Sequence, residues 1–183
     1  LSLCLLNNYQ GTKPKGELIS RGQLLKRLSS EADLAQVEAH FGTLTLEQFA
    51  PFTLLAFELA NSKVRSFEWD GKQAYISNAV SPHFSSAVAL DSVSEYRQSV
   101  YERESMKSTE ALLAFHSQHH PEHSHMSVCM HRDDAQTVSF TRIQVSKDSM
   151  QMNYVPGSPC THLSPQTMAA LAYHLPNTIS LVS

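Results

Sequence analysis

The side chains of this chain best suited to metal or nucleophilic chemistry are its histidines and cysteines, and they are unevenly spread. His116, His119, His120, His123, His125 and His131 account for six of the ten histidines and fall within sixteen positions. Histidine clusters bind transition metals. The spacing H-x-x-H-H-x-x-H-x-H matches no zinc pattern, however, and structural zinc sites normally add cysteine or carboxylate ligands on rigid elements. The segment therefore reads as a solvated loop between a helix and a strand, with incidental nickel or zinc binding as the alternative. No metal and no cofactor is assigned. Cys4 and Cys129 lie inside apolar strand patterns, where a thiol behaves as a small buried hydrophobe. Cys160 follows Pro159 in a loop and is expected to be more exposed. No helix terminus or base is identifiable beside any of the three, so none is assigned as a nucleophile. The chain carries no G-x-S-x-G, P-loop, G-x-G-x-x-G or H-E-x-x-H sequence, which leaves the esterase, nucleotide and zincin readings without support.

The framework that must position these groups is that of an ordinary globular protein. With 183 residues, 42% hydrophobic and 17% charged, the chain is too apolar for intrinsic disorder and of the right size for one domain, residues 1–183. A net charge of −3 and a pI of about 6.4 provide no general attraction to phosphate backbones or anionic membranes, so neither nucleic acid nor membrane is an expected partner. Three cysteines without framework spacing suit reduced thiols, and a cytoplasmic location is expected. The apolar start Leu1–Leu6 is far too short to span a membrane.

Along the chain, Leu1–Leu6 reads as a strand covered on both faces and ending at Asn7. Ser20 and Gln23 form a capping-box pattern ahead of Leu24, Leu25 and Leu28, and Leu34, Val37 and Phe41 recur at helical spacing up to Gly42. Strands are expected over Phe52–Leu59, Val64–Trp69 and Gln73–Ser77, with turns at Asn61-Ser62 and Asp70-Gly71. Two helices are expected over Ser92–Met106 and Ser108–Gln118. Three more strands follow over Met126–Met130, Thr137–Val145 and Met150–Val155, the last two joined at Lys147-Asp148. Ser164-Pro165 opens a final helix running to about His174. Segregated strand and helix blocks make the class α+β with antiparallel sheets, arranged as a layered sandwich.

The segments Leu5-Leu6-Asn7-Asn8-Tyr9-Gln10-Gly11, Ser20-Arg21-Gly22-Gln23-Leu24-Leu25 and Ser127-Val128-Cys129-Met130-His131-Arg132-Asp133-Asp134 with Thr137-Val138-Ser139-Phe140-Thr141 together resemble bacterial NRDE-family proteins. Tyr154-Val155-Pro156-Gly157-Ser158-Pro159-Cys160 resembles that family's closing motif. The order and spacing agree across nearly the whole chain. The family is related to the transport and Golgi organisation proteins of eukaryotes and is similar to N-terminal-nucleophile (Ntn) hydrolases. The resemblance implies a four-layer αββα sandwich. It also implies cleavage or transfer of an acyl group at an amide by an N-terminal cysteine whose α-amine is the base.

It further implies that Asn7, at a strand end in a Leu-Asn context, and Asn78, in Tyr75-Ile76-Ser77-Asn78, donate to an oxyanion. Read from the residues alone, both asparagines terminate strands and turn the chain. Arg21 would hold a substrate carboxylate or else bind a carbonyl at the loop-helix junction. His131, with Arg132, would face the cleft, although strand-end pairs of this kind are usually solvated. The Met-Cys start, the Asn-Arg-Asp-Glu motif and the Gly-Gly-Thr-Trp stretch of the family are absent. The nucleophile is therefore expected upstream of residue 1, and this chain alone is expected to be inactive, with association with an N-terminal segment of the same protein as the way to complete it. The expected partner is a small-molecule acyl amide. The alternative is a non-enzymatic protein that binds or carries a small hydrophobic ligand.

Overall fold

A computed structural model describes residues 1–58, 61–104, 108–146 and 149–175. The described chain forms two compact units, Leu1–Leu90 and Asp91–Ser183. The class is α+β, with two antiparallel sheets.

In the first unit, β1 (Ser2–Asn7), β2 (Phe52–Glu58), β3 (Lys63–Trp69) and β4 (Ala74–Asn78) form a sheet in sequence order. Strand alternation sends Leu3, Leu5, Phe52, Leu54, Ala56 and Phe67 to one face, as the pairings Leu5 with Leu54 and Leu54 with Phe67 require. That face is covered by α1 (Arg21–Leu28) and α2 (Leu34–Phe41), which bury Leu24, Leu28, Leu34, Val37 and Phe41 in the same cluster. Ser20 caps α1 by accepting from the Gly22 N–H at 3.3 Å, and Asp33 caps α2 by accepting from the Gln36 N–H at 2.8 Å. Each cap satisfies an N–H that helix geometry leaves unpaired. Trp69 is buried with its indole N–H on the Phe49 carbonyl at 3.1 Å.

Contrary to a first strand covered on both faces, Cys4 is exposed. The helix layer covers the Leu3 and Leu5 side only, and Cys4 points the other way by alternation. The Asp70-Gly71 turn is fixed by the Asp70 carboxylate, which accepts from the N–H groups of Lys72 and Gln73, both at 2.7 Å. These bonds, that from Gln73 above all, hold the Asp70 carboxyl below the usual range. Gly71 adopts φ +91, and a Cβ there would lie 1.7 Å from the Thr12 carbonyl oxygen. Only glycine allows the loop after β1 to press on this turn.

In the second unit, α3 (Leu90–Arg103), which starts at the boundary, and α4 (Thr109–Ser117) precede a 3-10 turn at Pro121–His123. The end of the helix expected over Ser92–Met106 lies outside the described residues. The second sheet has the order β5 (Ser139–Val145), β6 (Met150–Pro156), β7 (Ala172–Leu175), with α5 (Pro159–His162) and α6 (Pro165–Ala170) between its last two strands. The Lys147-Asp148 turn lies outside the described residues. Phe140, Val155 and Met168 form the buried cluster, with Leu113, Leu163 and Leu171 against it. Asn153 is buried but satisfied, donating to the Met168 carbonyl at 2.7 Å and accepting from Arg142 Nε at 3.1 Å.

The second unit departs from two expectations. Met126–Met130 is not a strand. Its polar backbone groups are taken by partners off any sheet: Cys129 N–H by the Gln118 carbonyl at 2.9 Å, Val128 N–H by Gln118 Oε1 at 3.1 Å, and the Met126 and Ser127 carbonyls by Arg97 at 3.1 and 3.0 Å. The last helix stops at Ala170 instead of about His174, because Ala172–Leu175 turns back to pair with Met150–Asn153.

Candidate functional site

Of the residues assigned from the sequence, Asn7, Arg21 and Asn78 lie in the first unit and His131 in the second. Asn7 is the last residue of β1, and its Nδ2 donates to the exposed Tyr9 hydroxyl at 2.9 Å, while its carbonyl accepts from Ser85 Oγ at 2.5 Å. With Tyr9, Thr53, Glu68, Phe84 and Ser85 it lines a groove of about 180 Å³. Arg21 opens α1 at the same end of the sheet, and its Nη1 donates to the Pro51 carbonyl at 2.8 Å, an oxygen it shares with the Asn8 N–H at 3.2 Å. Arg21 thus binds a main-chain carbonyl and ties the helix to the strand end that carries Asn7.

Asn78 lies elsewhere. It pairs with Arg65 and through it with Ala56 and Leu3, whereas Asn7 pairs with Phe52 and through it with Trp69 and Ala74. The two asparagines are therefore on opposite edges and opposite ends of the sheet. Four residues of strand is about 13 Å and three strand spacings about 14 Å, for a separation of roughly 20 Å. Donors to one oxyanion must each lie about 3 Å from it, hence within about 6 Å of each other. Asn78 and Asn7 do not share an oxyanion in this arrangement. Asn78 is exposed and accepts from Arg65 Nη1 at 3.1 Å, on the rim of a polar cleft of about 440 Å³ that Asp33, Glu38, Glu58 and Lys63 also line.

His131 stands in the second unit. Its Nε2 lies 3.5 Å from Cys129 Sγ and 3.4 Å from Cys160 Sγ, and the Cys160 N–H points at Cys129 Sγ at 3.4 Å. Cys129 is fully buried, whereas His131 and Cys160 are half-buried. Burial, aided by the adjoining Cys160 side chain, pushes the Cys129 thiol up to about 11, so it is protonated near neutral pH and a poor nucleophile by itself. His119 packs its ring beside that of His131, centroids 4.5 Å apart, and its Nδ1 lies 3.0 Å from the Cys129 carbonyl, which obliges that nitrogen to donate. Arg132 pairs with Asp134 through Nε and Nη2 at 2.9 and 3.2 Å.

Sequence reasoning placed His131 but missed its association with the two thiols. The signal was present in the Cys129-Met130-His131 spacing, which puts two ligand types two residues apart. His120, Glu122 and His123 form a second cluster, all three exposed, in the histidine-rich loop. His116 stands apart from both, between the rings of Phe115 and Phe140. Sequence reasoning also overlooked His83. Its Nε2 is buried and has no hydrogen-bond partner among the described residues, beside an apolar recess of about 210 Å³ lined by Cys4, Leu6, Leu55, Phe57 and Val64.

Comparison of the chain with family models, with curated proteins and with solved structures finds no match.

Proposed function

We propose that this chain is the C-terminal portion of an Ntn-type amidohydrolase or acyltransferase of the NRDE family, built as an αββα layered sandwich, with Asn7 as an oxyanion donor. The observation that carries the reading is the position of Asn7. It ends a strand at the rim of a groove, and its amide N–H is engaged by the hydroxyl of Tyr9, itself 52% exposed and able to yield to a substrate oxygen. A fixed amide aimed at developing negative charge is one of the larger single contributions to acyl-transfer catalysis. Arg21 supports the same end of the sheet through Pro51. Asn78, at the far end, has no part in that oxyanion hole. The nucleophile is an N-terminal cysteine outside residues 1–183, and its strand would pair on the outer edge of β1, which has no partner there among the described residues.

The test uses protein extended by the preceding segment. An acylating probe should form an adduct on the N-terminal cysteine. Asn7→Ala should fold normally yet lose on the order of a hundredfold in turnover, with ground-state binding little changed. Unchanged turnover per folded molecule would remove Asn7 from the mechanism, and absence of any adduct or turnover would overturn the enzymatic reading.

The second reading is a binding or carrier protein for a small hydrophobic ligand. It is favoured by the recess at His83, apolar walls with one buried nitrogen that has no partner among the described residues, which suits an apolar molecule bearing a single hydrogen-bonding group. Saturable binding of such a ligand that His83→Phe weakens, in a protein that forms no acyl adduct, would favour this reading over the first.

A further inference from the structure

The geometry points to a mononuclear metal site in the second unit, in which Cys129 Sγ, His131 Nε2 and Cys160 Sγ bind one zinc-class divalent ion and solvent takes the fourth position. Zinc bonds of about 2.0–2.1 Å to nitrogen and about 2.3 Å to sulfur imply, for a tetrahedron, N···S edges of about 3.6 Å. The two N···S distances here are 3.5 and 3.4 Å, and all three ligand atoms lie within 4.8 Å of one another. An ion can therefore enter with displacements of a few tenths of an ångström at these edges.

The ligands are also held in place. Thr137 clamps both segments that carry them: its N–H donates to the Met130 carbonyl at 2.8 Å, its Oγ1 accepts from the Met130 N–H at 2.9 Å, and its carbonyl accepts from Ser158 Oγ at 2.8 Å. The Cys129 N–H is fixed on Gln118 at 2.9 Å and the His131 N–H on Ser124 at 3.0 Å. The Cys160 N–H directed at Cys129 Sγ stabilises a thiolate there, as donors around metal-bound sulfur do.

Charge favours the same conclusion. A dication with two thiolates and a neutral imidazole is net neutral, which a half-buried site tolerates far better than a single uncompensated charge. Sulfur ligands select zinc-class ions over magnesium or calcium. Binding requires both thiols to ionise, so two protons leave as the ion enters and affinity rises with pH. Three protein ligands with one open position is the arrangement of zinc sites that act on a bound water or substrate. The exposed His120, Glu122 and His123 cluster lacks sulfur and lies on the surface, and it provides an internal control.

The experiment titrates untagged, chelator-treated protein with Co2+ and then Zn2+. One equivalent of Co2+ should give a sulfur-to-cobalt charge-transfer band that Zn2+ abolishes. Cys160→Ser and His131→Gln, at half-buried positions, should each weaken binding by about 100-fold or more, and His120→Ala with His123→Ala should change nothing. In the unaltered protein, Zn2+ should slow alkylation of Cys160, read by mass spectrometry, without slowing that of exposed Cys4. The proposal is overturned by absence of the charge-transfer band, by a band of unchanged intensity and affinity in Cys160→Ser, by binding that depends on His120 and His123, or by equal Cys160 alkylation with and without Zn2+.

Discussion

His116 lies near the C-terminus of α4 with its ring between those of Phe115 and Phe140, at centroid distances of 5.2 and 5.0 Å. Burial lowers its pKa from 6.5 to about 4. The helix C-terminus favours the imidazolium by less than about 1 kcal/mol, too little to offset the loss of water around the ring. The unfolded chain therefore binds a proton that the folded chain refuses over this interval. Stability from this group is complete above the unfolded value of 6.5 and is lost as pH falls toward about 4. The full gap corresponds to about 3 kcal/mol, and the part lost between about pH 7 and about pH 4.5 to about 2 kcal/mol. His116→Leu keeps an apolar group of similar reach and removes the titration. Urea unfolding followed by circular dichroism at the two pH values should show the unaltered protein losing about 2 kcal/mol more than the variant. Carboxylates titrate in both proteins and cancel in the comparison. Equal losses, or an NMR titration of His116 in the native protein centred near its unfolded value, would refute the reasoning.

Gly71→Ala should lower stability by several kcal/mol, on the order of 3 or more, because its Cβ would collide with the Thr12 main chain at a positive φ; a thermal melt within a degree or two of the parent would show that the loop simply moves aside. Asn153→Ala strips the Met168 carbonyl and Arg142 of a buried partner and should cost about 1–3 kcal/mol in chemical unfolding, whereas a neutral effect would mean that water replaces the amide. Arg97→Ala, which frees the Met126 and Ser127 carbonyls, should loosen the segment that carries Cys129 and weaken Co2+ binding about tenfold, with α3 helicity unchanged. Unaltered affinity would separate this support from the metal ligands.

Local chemistry made much of the first unit legible. Ser20 ahead of Leu24 and Leu28, and the hydrophobic period through Leu34, Val37 and Phe41, act over one or two turns of helix, so the helices follow from residues a few positions apart. The three-strand meander from Phe52 to Asn78 is legible for the same reason, since alternation and the Asp70-Gly71 turn fix its pairing locally. Met126–Met130 shows the limit. Its Val and Met residues suit a strand, but Gln118 and Arg97 claim its backbone from 10 or more positions away. Ala172–Leu175 continues a helical pattern in sequence and becomes β7 only because β6 presents an open edge to it.

By itself the sequence determined the mixed class, the Asp70-Gly71 turn and the identity of the reactive groups, because those rest on side-chain type and on interactions between near neighbours. Which groups meet was decided by the tertiary structure. Asn7 and Asn78 read as a pair and are separated by strand order and direction. Cys160 read as an isolated loop thiol and is brought to His131, 29 positions earlier, by the clamp at Thr137. Distance along a chain sets no distance in space once strands pair and loops close, and so the thiol–imidazole cluster could be found only from the fold.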